Sequence, residues 1–217
     1  VTPIDKDIDF KAAALVGCGV TTGVGAAIKT AQVRPGSTVA VFGCGGVGVS
    51  VIQGARIAGA KQIIAVDLSQ EKMDNARRFG ATDTVTPGGE AVREIMEKTG
   101  GHGVDYAFEV IGNPATIEMC IKAARRGGNA VLVGVGRASE RFSVNSLILP
   151  LTSKNIIGCM YGSVNFKLDF PTYLDFYRQG QLDLDGMVSK TYSLDDAPQA
   201  FEDMMSGVNT RGVILHE

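Results

Sequence analysis

Three glycines at the start of a candidate helix have a spacing that suits a bound phosphate. Gly43, Gly45 and Gly48 form the pattern G-x-G-x-x-G directly after the apolar run 38–42. In this pattern the first glycine allows a tight turn, the second lets the backbone approach a pyrophosphate, and the third lets the helix pack closely on the strand. The phosphate then lies at the positive N-terminal end of the helix. By itself, the pattern also suits a purely structural turn.

An acidic residue follows the next apolar run at the distance expected of a dinucleotide site. Asp67 directly follows the run 62–66 and comes about 20 residues after Gly48. A carboxylate there can accept hydrogen bonds from both ribose hydroxyls, and its charge would repel a 2′-phosphate. Lys72 is close enough in sequence to help hold the ribose. Together with the glycine turn, Asp67 predicts a dinucleotide site that prefers NAD over NADP.

Apolar strand-like runs alternate with helical segments over most of the chain. The predicted strands lie at 38–42, 62–66, 83–86, 104–110, 129–134 and 155–160. The predicted helices lie at 10–31 with a break near 17–19, and at 46–59, 69–79, 89–99, 114–126, 169–179 and 194–206. This alternation predicts an α/β protein with a doubly wound, parallel, six-stranded sheet of the Rossmann type. After about residue 161 the rhythm is lost, and the chain ends on a predicted strand at 211–216.

Composition excludes several classes of protein. The chain has 21 basic and 23 acidic residues, so it lacks the positive field that suits nucleic acid or an anionic membrane. No apolar run approaches the ~20 residues that a membrane helix needs. We expect a reducing, cytoplasmic setting, because the cysteines are far apart and form no C-x-x-C pair. They are Cys18, Cys44, Cys120 and Cys159.

Five stretches, in order along the chain, resemble the medium-chain zinc alcohol dehydrogenases. They are GCGVTTG at 17–23, FGCGGVG at 42–48, AVD at 65–67, FEVIG at 108–112 and TRG at 210–212. The likeness is greatest to the liver-type and glutathione-dependent formaldehyde dehydrogenase branch, and it covers the whole chain. It implies hydride transfer between NAD and a zinc-bound alcohol or aldehyde, with this chain as the NAD-binding part.

The resemblance also implies roles for single residues. The catalytic candidates are Cys18, which matches a ligand of the catalytic zinc, and Thr22, which packs with Val47 against the nicotinamide. Arg211 matches a cation that reaches the pyrophosphate. The other matches to cofactor contacts are Gly43, Gly45, Gly46, Gly48, Asp67, Leu68, Lys72, Val110, Ile111, Val133, Val135, Cys159 and Tyr161.

Part of the family pattern has no counterpart in this sequence: the other two zinc ligands, the structural zinc lobe and the proton relay. We therefore expect 1–19 to link to a largely absent catalytic domain, 20–160 to form the dinucleotide-binding domain, and 161–217 to return toward the catalytic domain. Apolar surface is expected around 10–22 and 161–217, where that domain would pack. The expected partners are a small alcohol or aldehyde and further copies of the chain, in a homodimer or a higher homo-oligomer, with no nucleic acid and no membrane.

Two alternatives remain open. One is a zinc-free, quinone-reductase-like member of the family, against which Cys18 argues. The other is a non-catalytic NAD-sensing Rossmann module, against which the dehydrogenase-like C-terminal stretch through Arg211 argues. The substrate also stays open among aliphatic alcohols, aryl alcohols and a thiol–formaldehyde adduct, because the missing half would build most of its pocket.

Overall fold

Six parallel strands form the centre of the computed structural model, which describes residues 2–207 and 209–216. They are β1 (Thr38–Phe42), β2 (Gln62–Val66), β3 (Asp83–Val85), β4 (Val104–Glu109), β5 (Ala124–Leu132) and β6 (Asn155–Gly158). Their order in the sheet is β3-β2-β1-β4-β5-β6. The chain direction across the sheet therefore reverses between β1 and β4, as in doubly wound folds. The predicted six-stranded parallel sheet is confirmed.

Helices pack against the sheet and alternate with its strands along much of the chain. They are α1 (Phe10–Val16), α2 (Gly19–Gly25), α3 (Gly46–Ile57), α4 (Gln70–Arg78), α5 (Ala91–Lys98), α6 (Pro114–Ala123), α7 (Ile148–Thr152), α8 (Phe166–Arg178) and α9 (Ala197–Ser206). Within the described residues, no single helix is long and apolar enough to cross a membrane. Only α1 taken together with Gly19–Thr30, which is bent from it by 53°, meets that length and composition.

Side chains cap the N-termini of α4 and α6, as their sequences predict. The Ser69 hydroxyl accepts a hydrogen bond from the Lys72 backbone N–H, and the Asn113 side chain accepts one from the Ala115 N–H. Pro114 occupies the first helical position of α6, where a missing N–H costs nothing. These local signals are why α4 and α6 begin where they were predicted to begin.

The sheet separates two hydrophobic cores. Alternate residues of β1 point to opposite faces, so Val39 and Val41 join one core while Ala40 and Phe42 join the other. Burial on both faces explains why β1 is apolar from Val39 to Phe42. This burial also fixes the position of the end of β1 and of the glycine turn that follows it.

The beginning of the fifth strand differs from its prediction. The preceding helix ends at Ala123 instead of Arg126, and β5 begins at Ala124, which pairs with Val104. Regular pairing resumes only at Asn129, after an irregular stretch in which Gly127 has a φ of +68°. Pairing with Val104 of β4 therefore decides where β5 begins, and the prediction placed that start too late.

The C-terminal segment, residues 161–217, packs partly on the same core. Tyr173 of α8, together with Leu184 and Met187, lies in the core beneath α2 and α3. A second sheet in this segment pairs β7 (Val188–Tyr192) with β8 (Arg211–Ile214) in parallel.

Exposed apolar side chains follow the prediction in the C-terminal segment and only in part around 10–22. The C-terminal segment does expose large apolar side chains: Phe166, Leu168, Leu194, Phe201, Met204, Met205 and Leu215. Around 10–22 the prediction holds only in part: the Phe10 side chain is 86% exposed and Cys18 is exposed, but other apolar side chains there are covered. Leu15, Val16 and Val20 are buried, because α1 and α2 pack against α8.

Candidate functional site

The candidate site lies where β1, β2, β4 and β5 end at one edge of the sheet. The glycine turn follows β1, Asp67 follows β2, and loops 110–112 and 133–136 follow β4 and β5. In open parallel sheets, ligands bind outside the carboxyl ends of the strands, at the point where the strand order reverses. The topology therefore gathers most of the predicted cofactor contacts at the one edge suited to a ligand.

The three glycines of the turn have different surroundings. Gly43 has a φ of +101°, in the region that favours glycine. A Cβ on Gly48 would overlap the carbonyl oxygen of Gly43, so a side chain there would push α3 away from β1. A Cβ on Gly45 would meet nothing within 4 Å. The backbone at Gly45 is therefore open to an approaching ligand, beside the free N–H groups that begin α3.

Asp67 is held by two backbone N–H groups. Its Oδ2 accepts a hydrogen bond from the Cys44 N–H at 2.8 Å, and its Oδ1 accepts one from the Ser69 N–H at 3.0 Å. The carboxylate therefore joins the end of β2 to the glycine turn. Each oxygen keeps lone-pair capacity for a further donor such as a ribose hydroxyl.

A cleft of about 590 Å³ is lined by Cys44 and Ser69, the two residues whose N–H groups hold Asp67, although Asp67 itself is not part of its lining. This volume lies within the range typical of small-molecule sites. Lys72 and Ser69 line one side, and residues of the C-terminal segment line the other, including Ser189 and Asn209. The Asn75 side chain donates to the Thr210 hydroxyl at 2.9 Å and so joins the two sides. Leu68, by contrast, is exposed and does not line this cleft.

Arg211 reaches the glycine turn from the C-terminal segment. A Cβ on either Gly19 or Gly46 would overlap its guanidinium group, which therefore lies between α2 and the N-terminus of α3. Burial lowers the pKa of Arg211, and the nearby Cys18 offsets part of that effect. Among the described residues, no carboxylate forms a salt bridge with Arg211. An anion at the turn would meet both a helix N-terminus and this cation.

The predicted nicotinamide contacts do not all face the same space. Ile111 and Val135 are 52% and 89% exposed, so they form an apolar surface beyond the glycine turn. Val133 is buried in the core, and Thr22, Val47 and Val110 are partly buried around the turn. The remaining two lie at the end of β6: Cys159, whose thiol is 3.2 Å from the Thr30 hydroxyl, and Tyr161, which donates to the Gly17 carbonyl oxygen.

Cys18 is the one predicted metal ligand, and it is exposed at the N-terminus of α2. Within the described residues, no group of three or more His, Cys, Asp or Glu side chains could hold a metal ion. Catalytic zinc sites take three protein ligands. The described residues therefore do not fit a complete zinc site.

The other cysteines and the histidines show no sign of reactivity. Burial raises the pKa of the Cys44 thiol to about 12, with a further contribution from Asp67. Burial and the charge of Glu109 raise the pKa of the Cys120 thiol. Both histidines, His102 and His216, are exposed.

Sequence reasoning missed one carboxylate in this region. Glu109 ends β4 and is fully buried, with its oxygens bonded to the loop that follows. In the sequence, Glu109 lies within the family-like stretch FEVIG at 108–112, with no role of its own. An acid at the end of an otherwise apolar strand was the available signal, because a buried carboxylate needs donors to offset its desolvation.

Comparison with known proteins agrees with this geometry. A family described as zinc-binding dehydrogenase matches residues 46–179. Alcohol dehydrogenase B of Mycobacterium tuberculosis is 39% identical over 219 residues, covering 100% of this chain and 58% of that protein. The S-(hydroxymethyl)glutathione dehydrogenase of Escherichia coli is 38% identical over 216 residues, covering 98% of this chain and 58% of that protein.

Solved structures have the same fold. A benzyl alcohol dehydrogenase from Acinetobacter calcoaceticus superposes with a TM-score of 0.94 at 30% identity, over 98% of this chain and 59% of that one. An alcohol dehydrogenase zinc-binding domain protein from Burkholderia ambifaria gives 0.95 at 33% identity, over 100% and 58%. This chain therefore spans just under three fifths of the relatives that it matches. The family match begins at Gly46 and includes α3, Asp67 at the end of β2, β4 and β5, and the chain belongs to the zinc-binding dehydrogenase family.

Proposed function

We propose that this chain is the NAD-binding part of a zinc-dependent alcohol dehydrogenase. The observation that carries the proposal is the Asp67 carboxylate, held by the Cys44 N–H beside the open face of Gly45. A carboxylate and an open helix N-terminus so close together suit the ribose and the pyrophosphate of one dinucleotide. The names of the relatives, which are alcohol dehydrogenases and an S-(hydroxymethyl)glutathione dehydrogenase, support the reaction class.

The residues of the site fit NAD along its length. Asp67 would accept the hydroxyl hydrogens of the adenosine ribose, with Lys72 in the cleft beside it. The pyrophosphate would lie on Gly45 at the start of α3, next to the Arg211 guanidinium. The apolar side chains of Ile111 and Val135 would form part of a wall along the nicotinamide half. When bound, NAD supplies the hydride acceptor.

Zinc belongs to the proposal only for the whole protein. Cys18 is one candidate ligand, and the described residues do not complete a set of three. We therefore assign this chain the binding and orientation of the cofactor, which can lower the barrier by holding the reacting groups in line. The substrate would be an alcohol or an aldehyde. A cytoplasmic location is part of the proposal, because all four cysteines are free.

The proposed function is tested on the full-length protein that carries this chain. We expect about one catalytic zinc ion per chain that depends on Cys18, and NADH formation with a panel of alcohols. The Cys18→Ala variant should lose that zinc and the turnover but still bind NADH. The Cys120→Ala variant is the control, because Cys120 is buried in the other hydrophobic core, across the sheet from the core that contains Val20 and Val24 of α2. Turnover without zinc would indicate a quinone-reductase-like enzyme, and NADH binding without turnover would indicate a sensor.

We also expect the protein to dimerise through β6. This strand is an edge of the sheet, and an unpaired edge favours association. Leu147, Ile148, Leu151 and Met160 expose apolar surface on either side of it. The family resemblance suggests a two-fold pairing of these edges into one continuous sheet.

Sedimentation at micromolar concentration tests this expectation. Leu151→Glu should shift the protein toward monomer, because it places a charge in the apolar surface beside β6. Leu194→Glu is a matched control, because Leu194 is 60% exposed and Leu151 is 59% exposed. A wild-type monomer, or equal effects of the two substitutions, would contradict the proposed interface.

A further inference from the structure

A buried glutamine in the middle of α3 has no part in the roles described above. The Gln53 side chain is 0% exposed. A buried amide needs hydrogen-bond partners, because leaving its polar atoms unsatisfied costs free energy. Gln53 finds them in the C-terminal segment, 130 residues later in the chain. Its partners therefore show which part of the protein it holds against α3.

Gln53 bonds to both backbone groups of one residue. Its Oε1 accepts a hydrogen bond from the Asp183 N–H at 2.8 Å, and its Nε2 donates to the Asp183 carbonyl oxygen at 3.3 Å. Nε2 also lies 3.4 Å from the Met187 sulfur. A side chain that pairs with the N–H and the C=O of one residue satisfies both and fixes the backbone there. Gln53 thus holds the stretch 183–187 against α3.

Two other polar side chains on the same face of α3 contact the C-terminal segment. The Ser50 hydroxyl lies 4.0 Å from the Met187 sulfur, and the Arg56 guanidinium donates to the Gln181 carbonyl oxygen. The spacing of three residues places both side chains in one row with Gln53 along the helix. Arg56 is exposed, and Ser50 also donates a hydrogen bond within α3. Gln53 therefore makes the buried, paired contact of this row.

The stretch held by Gln53 leads directly into β7. The Asp183 carboxylate accepts a hydrogen bond from the Gly186 N–H at 2.7 Å and so closes the short 3₁₀ turn Asp185–Met187. The strand β7 begins at the next residue, Val188. The position of Asp183 against α3 therefore sets where β7 starts.

The start of β7 in turn holds Arg211. Val188 pairs with Arg211 in the sheet of β7 and β8, and the Ser189 hydroxyl donates to the Arg211 carbonyl oxygen at 3.0 Å. The Arg211 side chain reaches back to the N-terminus of α3, where a Cβ on Gly46 would overlap its guanidinium group. Gly46 lies about two helical turns before Gln53. The strand pair β7–β8 therefore connects two contacts on the same helix, the Gln53 side chain and the Arg211 guanidinium.

We infer that Gln53 is a positioning residue for Arg211: it anchors the turn before β7, and the strand pair then places the guanidinium beside the start of α3, where the pyrophosphate would lie. This inference rests on the proposed function. Among the described residues, no carboxylate forms a salt bridge with Arg211, so its position depends on β8 and on packing between α2 and α3.

Removal of the amide should release this arrangement. Gln53→Met keeps a long, unbranched side chain but removes both hydrogen bonds to Asp183. The freed N–H and C=O of Asp183 would regain partners only by moving toward water. That movement would shift β7 and carry Arg211 away from the glycine turn.

A double-mutant cycle on the full-length protein tests the inference. NADH is titrated by fluorescence into four proteins: the wild type, Gln53→Met, Arg211→Met and the double variant. Arg211→Met should weaken NADH binding by about tenfold, because it removes the cation beside the pyrophosphate. Gln53→Met should weaken NADH binding by about fivefold in the wild type, but by less than about twofold where Arg211 is already replaced.

Two further variants make the result interpretable. Gln62→Met is the matched control: Gln62 also bonds to a backbone carbonyl oxygen, that of Lys98 at 3.2 Å, but it begins β2, at the end of the strand opposite the candidate site. It should leave NADH affinity within about twofold of wild type. If Gln53→Met does not fold, Asp183→Ala loosens the 3₁₀ turn and should weaken NADH binding by about threefold, again only while Arg211 is present.

Each outcome bears on one proposal. Equal losses from Gln53→Met with and without Arg211 would show that Gln53 only stabilises the fold. The inference would also be overturned by unchanged NADH affinity in Arg211→Met, in a folded Gln53→Met protein or, where that variant does not fold, in Asp183→Ala. A wild-type protein that does not bind NADH would instead refute the proposed function.

Discussion

Replacing Asp67 by glycine is expected to weaken NAD binding by about 10- to 150-fold, which corresponds to roughly 1.5–3 kcal/mol. The variant loses a charged acceptor for two ribose hydroxyls, and such charge-assisted contacts are the strong ones. It also frees the Cys44 N–H, which Asp67 holds at 2.8 Å, and so loosens the glycine turn. Binding of NADP should weaken far less or improve, because the charge that repels the 2′-phosphate is gone.

Calorimetric titration of both cofactors measures this change. Glu71→Gln serves as the matched control, because Glu71 lines the cleft next to the glycine turn, is exposed, and has the same charge as Asp67. An exposed charge of this kind contributes about 0–1 kcal/mol, so the control should change either affinity by less than about fivefold. If the wild type bound NADP as tightly as NAD, the role assigned to Asp67 would be wrong.

The 217-residue chain, expressed by itself, is expected to bind NADH without oxidising alcohols. Asp67, the glycine turn and Arg211 all lie within it, so the dinucleotide site is largely formed. Its described residues offer Cys18 as one candidate zinc ligand where three are usual. Val135 is 89% exposed, so solvent can also reach the nicotinamide end of the site.

The test is to purify the chain and to measure its zinc content, its affinity for NADH and its formation of NADH with several alcohols. The full-length protein under the same conditions is the control for assay competence. Exposed side chains of the C-terminal segment such as Phe201 and Met205 should make the isolated chain prone to aggregate, so a monodisperse sample is needed. Stoichiometric zinc with turnover would show that other residues of the chain complete the metal site.

Much of the sheet could be predicted from the sequence, because its signals are local. The strands β1 and β2 have their predicted bounds, since short apolar runs bounded by turn residues identify buried strands. The caps at Ser69 and Asn113 act within a few residues of themselves. The close approach at Gly48 is equally local, because a side chain there meets the carbonyl oxygen of Gly43.

Other features depended on partners that are distant in sequence, and only the tertiary structure decided them. Ala124 begins β5 because Val104 lies beside it, and Arg211 reaches the glycine turn from the opposite end of the chain. The hydrogen bonds of Glu109 depend on loops that come together only at the edge of the sheet. The sequence by itself determined β1, β2, the caps and the glycine turn, because their free energies depend mainly on neighbouring residues. Which donors surround a carboxylate depends on how the strand ends assemble, and no local pattern encodes that assembly.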